Sequence, residues 1–362
     1  MNIGIPKERL PGEERVGLTP SGVGLLIKDG HKCFVESGAG TGAGFDDYDY
    51  ERMGATLVYD GEELYTRSSL VLKALRPTQE EITWMPNGLT LMCFLGLSQI
   101  PDEEVAEMQS RRITAIAYEM IKKGKHDFPI LKSVSEVAGR MAPYIAGTLL
   151  MRQNGGRGVL LNGVPGVSAG DVVILGSGTV GQNAARAFLG LGAKVFILSR
   201  SLERLRSLDA QFCGQVTTMI DHDFNVAYVT RFADVVIGAV RNPGKRAPVI
   251  ITREMLRTMR KGSVIIDFAI DHGGCAETSR PTTFDDPTYV EEDVLHYCVP
   301  NVPGSVPRTS THAFNNAAWG YIRHVAMMGA ASAIAQNDAL LAGTVMRNGE
   351  IVEEPPAPST WR

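Results

Sequence analysis

The apolar run Asp171-Val-Val-Ile-Leu175 passes directly into Gly176-Ser177-Gly178-Thr179-Val180-Gly181, and Gln182 to Gly192 then carries a helical pattern. A second apolar run, Lys194 to Leu198, follows at the spacing of a strand–helix–strand unit. In that context the three glycines predict a dinucleotide-binding turn. Gly176 permits the tight turn, Gly178 lets backbone approach a pyrophosphate, and Gly181 lets the helix pack closely on the strand. The helix start adds unpaired N–H groups and a partial positive charge. Where a ribose 2′-OH is bound, the second strand usually ends in Asp or Glu. Here it ends in Ser199-Arg200-Ser201, with Arg204 and Arg206 one turn later. A hydroxyl and guanidiniums suit a 2′-phosphate, so the sequence predicts NADP(H) as the preferred cofactor, with NAD(H) also accepted.

Strand-like runs recur on both sides of this motif. Ile3 to Ile5, Lys32 to Val35, Ala55 to Val58, Leu70 to Leu75, Leu89 to Leu95 and Thr114 to Tyr118 precede it; Val235 to Gly238 and Val264 to Phe268 follow. Helical stretches fall between them, as at Thr19 to Lys28, where Thr-Pro offers an N-cap and an N1 proline, and at Glu103 to Gln109. This alternation predicts α/β architecture with parallel sheets. Ser133 to Gln153 reads as a long linking helix with a capped start at Ser133. Thr311 to Ala339 reads as helical, and the proline-rich Glu353 to Arg362 as a loose tail.

Among 362 residues, 36 basic and 40 acidic side chains give a formal net charge of −4. That balance argues against a general electrostatic grip on nucleic acid or an anionic membrane. Five dispersed cysteines form no C-x-x-C pair, which argues against a disulfide framework or a structural zinc. With no signal-like start and no apolar run near the ~20 residues of a membrane span, the expectation is a cytoplasmic protein without a metal.

Gly4–Glu8, Glu14-Arg15-Val16, Gly38–Gly40, Ser135–Arg140, Gly155–Gly158, Gly163–Gly166, Asp267–Asp271, Gly273-Gly274, Ser279–Thr283 and Asn301–Thr311 together resemble the alanine dehydrogenase/pyridine-nucleotide transhydrogenase α-subunit family. The likeness spans nearly the whole chain. It implies two Rossmann-like, doubly wound parallel-sheet domains with an inter-domain active-site cleft. Residues 1–130 and 307–362 would form the substrate domain, and 131–306 the nucleotide domain. It further implies a homo-oligomer, hexamer or dimer, acting on a small amino or oxo acid.

By the same resemblance Arg15 binds the substrate carboxylate. Asp271 orients water, takes a proton or holds the cofactor ribose. Ser135, Thr179, Val180, Val240, Phe268, Ile270 and Asn301 lie along the cofactor. Two family positions differ. The lysine of Leu-Lys-Val-Lys-Glu-Pro is replaced in Leu72-Lys73-Ala74-Leu75-Arg76-Pro77, and the histidine of Phe-Leu-His-Leu in Phe94-Leu95-Gly96-Leu97. Leucine cannot polarise a carbonyl and glycine cannot carry a proton. Lys73, two residues before Leu75 and hence on the same face of a regular strand, and His272, a residue type that titrates near neutrality, are the expected replacements.

The expected activity is NAD(P)(H)-dependent hydride transfer at the Cα of an amino or imino acid, with a substrate larger or less polar than L-alanine. The alternatives are an opine-type imine reductase, a soluble transhydrogenase-like domain and a non-catalytic nucleotide-binding regulator.

Overall fold

The structure is a computed structural model that describes residues 1–97, 100–124, 127–241 and 246–352. The 353–362 segment, read above as a tail, lies outside these. The described residues form two compact units, one of 1–134 and 303–352, the other of 135–302. Among the described residues no helix is long and apolar enough to cross a membrane.

The first unit is built on β1 (Asn2–Ile5), β2 (Lys32–Glu36), β3 (Thr56–Val58), β4 (Leu70–Leu75), β5 (Thr90–Phe94) and β6 (Thr114–Ala117). The second contains β7 (Asp171–Leu175), β8 (Lys194–Ser199), β9 (Val216–Ile220), β10 (Val235–Gly238), β11 (Val264–Asp267), β12 (Thr288–Glu291) and β13 (Val294–Tyr297). The chain then returns to the first unit with β14 (Thr344–Arg347) and β15 (Glu350–Ile351). The strand orders are β15-β14-β6-β5-β4-β1-β2-β3 and β12-β13-β11-β10-β7-β8-β9. Each sheet is doubly wound, reversing direction between β1 and β4 in one and between β7 and β10 in the other. Ligands of open α/β sheets bind at the carboxyl ends of strands at such a reversal.

Strand alternation divides the apolar residues between two faces. In the first sheet Ile3, Ile5, Leu70, Leu72 and Ala74 pack with Phe314, Ile322 and Val325 of the helix Pro307–Met328. Val71, Leu91, Cys93 and Ala115 serve the opposite face. In the second, Val172, Ile174, Ile197 and Val235 cover Ala184, Ala185 and Phe188 of the helix Thr179–Leu191. Each large apolar side chain fully buried in this way contributes about 1.5–3 kcal/mol.

The sheets are not wholly parallel. β12 and β13 form a hairpin whose turn residues Glu292 and Asp293 both have positive φ, 48° and 60°. β14 runs antiparallel to β6, and β15 antiparallel to β14 across Asn348 (φ 50°) and Gly349 (φ 82°). Asn-Gly is the preferred pair for a two-residue hairpin turn, a signal that hydropathy alone passes over.

The linking helix starts at Pro129 rather than Ser133 and runs to Leu150. The Ser133 hydroxyl donates to the Ile130 carbonyl at 2.7 Å instead of capping the helix start. The C-terminal helical stretch is three helices, broken at Gly329 (φ 74°) and at Asn337, whose side chain caps Asp338–Gly343.

Candidate active site

In the second unit the glycine turn has the shape its residues predict. Gly176 sits at φ 112°, and a Cβ there would strike the Ala239 carbonyl oxygen that follows β10. A Cβ on Gly181 would strike the Gly176 carbonyl oxygen and press on Ile174. Gly178, which opens the helix without a side-chain cap, faces open space. Uncapped N–H groups, a positive dipole end and room for an approaching group fit a pyrophosphate. Thr179 and Val180 are half-buried in the first helical turn.

A glycine outside the turn also matters. A Cβ on Gly139, in the helix Pro129–Leu150, would strike the Val180 carbonyl oxygen, so this glycine lets that helix cross the nucleotide helix closely. Arg140 Nε donates to Asn183 Oδ1 at 3.2 Å across the same crossing. Ser135 lies half-buried earlier in that helix.

At the end of β8 the Ser199 hydroxyl is buried, 2.7 Å from the Ser177 hydroxyl of the glycine turn. It also accepts from the Ser201 N–H at 3.3 Å. Ser201 caps the next helix through the Arg204 N–H. Arg200 faces Asp221, at the end of β9, whose carboxyl is raised by burial against the opposing pull of that guanidinium. Arg200 and Arg204 are exposed.

The end of β11 gathers several titratable side chains. Asp267 accepts from the Ala269 and Cys275 N–H groups and from the Ser279 hydroxyl, at 2.9, 2.7 and 2.6 Å. This buried carboxylate, to which the sequence reading gave no role, shapes the turn that presents Ile270, Asp271 and His272. Asp271 is pushed up to about 7 by burial and, less strongly, by Asp267, while the Asn301 N–H pulls it down. Asn301 holds a left-handed backbone, φ 52°. Burial, helped by the Arg241 guanidinium, pushes His272 down to about 4. His272 is therefore a neutral imidazole at neutral pH, and of the two neighbours Asp271 is the group poised to exchange a proton. Val240 packs against Ala247, Ala269 and Cys275, and Phe268 against the main core of the unit.

In the first unit Arg15 is 2% exposed. Glu13 Oε1 accepts from the Arg15 backbone N–H and Nε at 2.9 and 2.7 Å, and Glu13 Oε2 accepts from Nη2 at 2.6 Å. A Cβ on Gly17 would strike the Leu72 carbonyl oxygen, so Gly17 is what allows the Arg15 segment to lie against β4. Arg15 and Lys73 are thereby gathered at the β1/β4 reversal.

Lys73 is 0% exposed, its Nζ 2.8 Å from Glu81 Oε1 and 3.1 Å from Glu8 Oε2. Burial pulls the ammonium down, but Glu8 and Glu81 outweigh it and hold it above its usual range. The expected shared face of Lys73 and Leu75 rests on regular alternation. The β4–β5 register shifts between Leu72 and Leu75, so counting by twos does not carry across that step. Gly96, beyond β5, sits at φ 54°. Its N–H and that of Leu95 donate to Glu119 at 2.7 and 3.1 Å. Burial raises the Glu119 carboxyl against those donors.

A doubly wound unit with a glycine turn at its strand reversal fits the nucleotide-binding half of a dehydrogenase. Residues 4–138 match the alanine dehydrogenase/PNT N-terminal domain family, and residues 142–354 its C-terminal domain. Alanine dehydrogenase of Bacillus subtilis is 45% identical over 355 residues, 98% of this chain and 93% of that protein. A solved L-alanine dehydrogenase superposes with a TM-score of 0.94 at 41% identity, covering 98% of this chain and 97% of the other. A transhydrogenase from Sinorhizobium meliloti shares the fold, with a TM-score of 0.81 at 23% identity over 98% and 99% of the two chains. The chain belongs to the alanine dehydrogenase/PNT family, and is an oxidoreductase of that family.

Proposed function

We propose that this protein is a nicotinamide-nucleotide-dependent amino acid dehydrogenase, interconverting an amino acid with its 2-oxo acid and amine, whose substrate is not L-alanine and whose preferred nucleotide is NADP(H). The observation that carries the reading is Asp271, a carboxyl raised to about 7 on the turn after β11, in the unit that bears the glycine turn. When bound along Gly176, Gly178, Thr179, Val180 and Gly181, the nucleotide supplies the hydride acceptor or donor. Ser135, Val240, Phe268, Ile270 and Asn301 are assigned to its flanks by family likeness.

Arg15 holds the substrate carboxylate, its guanidinium aimed by Glu13. As a carboxylate, Asp271 takes the proton released during deamination; as a carboxylic acid it returns one during amination. Deamination therefore accelerates as pH rises through about 7, and amination loses that acid over the same interval. His272, neutral there, hydrogen-bonds rather than shuttles protons. Lys73, fixed between two carboxylates, is assigned to holding the β4 end in place.

Support for a substrate other than L-alanine comes from Leu75 and Gly96, which present no polar group where the family carries a lysine and a histidine. Support for NADP(H) comes from the uncharged, buried Ser199 at the end of β8 and from exposed Arg200 and Arg204.

The test follows oxidation of NADPH and of NADH with a panel of 2-oxo acids and ammonia or primary amines. Turnover with ammonia, faster with a bulkier oxo acid than with pyruvate and tighter with NADPH, is expected. No turnover with any pair, or turnover only between two nucleotides, would end the proposal. Introducing Leu75→Lys with Gly96→His should raise alanine deamination by about 10²-fold, the scale of positioned acid–base assistance. An unchanged rate would show that those two positions do not set the substrate.

A further inference from the structure

The buried charges beneath Arg15 belong to no step described so far. Glu8, just beyond β1, is buried; its Oε1 accepts from the Ala74 N–H at 2.6 Å and its Oε2 lies 3.1 Å from Lys73 Nζ. The same ammonium is shared with Glu81, which also accepts from the Tyr65 hydroxyl at 2.9 Å and from the Thr78 N–H at 2.8 Å. Arg9, 3.6 Å from Glu81, is engaged mainly by Glu36 at 2.6 Å. Lys73 is therefore one cation between two carboxylates, and Glu13, committed to Arg15, adds a third negative charge within reach of Glu8.

We propose that Glu8 is a positioning residue for the substrate carboxylate: it carries the proton that relieves this crowding, and its protonation state sets how strongly the Arg15–Glu13 pair attracts the anion. The inference rests on Arg15 holding the substrate carboxylate. Protonated Glu8 leaves the field at Arg15 more positive; ionised Glu8 adds a negative charge behind Glu13 and weakens the attraction. Through a low-dielectric interior a unit charge acts over several ångströms with little screening.

The groups around Glu8 pull in both directions, and those that raise it prevail. Burial comes first in raising it to about 7, Lys73 on β4 and the Ala74 N–H oppose, and Glu13 and Glu81 add to the rise. Cys93 on β5, Tyr118 after β6 and Tyr65 on the helix Gly61–Arg67 are raised chiefly by burial, with Glu8 a smaller contributor to each.

The experiment measures KM for the best 2-oxo acid from about pH 6 to about pH 9 in the wild type, Glu8→Gln and Arg15→Lys, with the Glu8 carboxyl followed by 13C NMR in the intact wild type. A 2-oxo acid is anionic throughout, so with neutral ammonia held at one saturating concentration the pH response of KM is the protein's, and the Glu8→Gln profile separates Glu8 from Asp271. Wild-type KM should rise about five-fold through neutrality, Glu8→Gln should stay at the low-pH value, and the NMR midpoint should lie near 7. A Glu8 midpoint in the ordinary carboxylate range overturns the proposal without any variant. So does a Glu8→Gln profile that tracks the wild type. If Arg15→Lys leaves KM unchanged, the carboxylate clamp itself falls; if it raises KM while Glu8→Gln does nothing, only the role of Glu8 falls.

Discussion

Glu8 and Asp271 are carboxyls pushed up to about 7, one in each unit, and they arrive there by different routes. Glu8 is hemmed in by ions: an ammonium pulls it down while two further carboxylates and burial push it up. Asp271 stands on a short turn with burial as the dominant cause and one backbone N–H as the opposing one. A carboxyl tied into an ion cluster holds neighbouring chain and tunes a field. A carboxyl with a single backbone donor keeps lone pairs available for a moving proton. Equal proton affinity thus serves positioning in one place and transfer in the other.

Substitutions sharpen the contrast. Asp271→Asn keeps the shape and the Asn301 contact but removes the exchangeable proton, so kcat should fall by about 10²–10⁴ with the melting temperature little changed. If kcat stays within a few-fold, the transfer role belongs elsewhere and the contrast collapses. Lys73→Met strikes the other side. It leaves Glu8 and Glu81 facing each other uncompensated, and denaturant titration should show a loss of about 3–5 kcal/mol. A loss near zero would mean that the Lys73 ammonium does not hold the cluster together.

The smallest effect is expected at His272→Gln, which preserves a neutral hydrogen-bonding side chain. Because the imidazole is held uncharged down to about 4, kcat should change less than about ten-fold and the limb near pH 7 should persist. Loss of that limb would transfer the proton step from Asp271 to its neighbour.

Residues whose role is decided within a few positions were legible in the sequence. Gly181 meets a demand set by the Gly176 carbonyl five residues back, and β4 and β10 run over the residues their apolar patterns predict. What the sequence concealed depends on distant partners. Lys73 reads as an available lysine until Glu8, far back in the chain, and Glu81 close on it. The register shift against β5 between Leu72 and Leu75 is one that no alternation reveals. β9 was passed over because its residues sit at a sheet edge and only Val216 is fully buried. The Asn348-Gly349 turn is marked by its residue pair and not by the apolar runs beside it.

The pairing of β14 with β6 joins Thr344 to Ile116, so the first sheet is extended by residues made after the whole of the second unit. During synthesis the second unit, continuous from Ser135 to Val302, is complete and able to collapse while the first still shows the open side of β6. An unpaired strand side is a template for the wrong neighbour, and closure over so long a loop is slow. Nascent chains of this protein therefore pass through a stage in which the later-made half is already folded and the earlier-made half waits, vulnerable to aggregation, for the ribosome to finish.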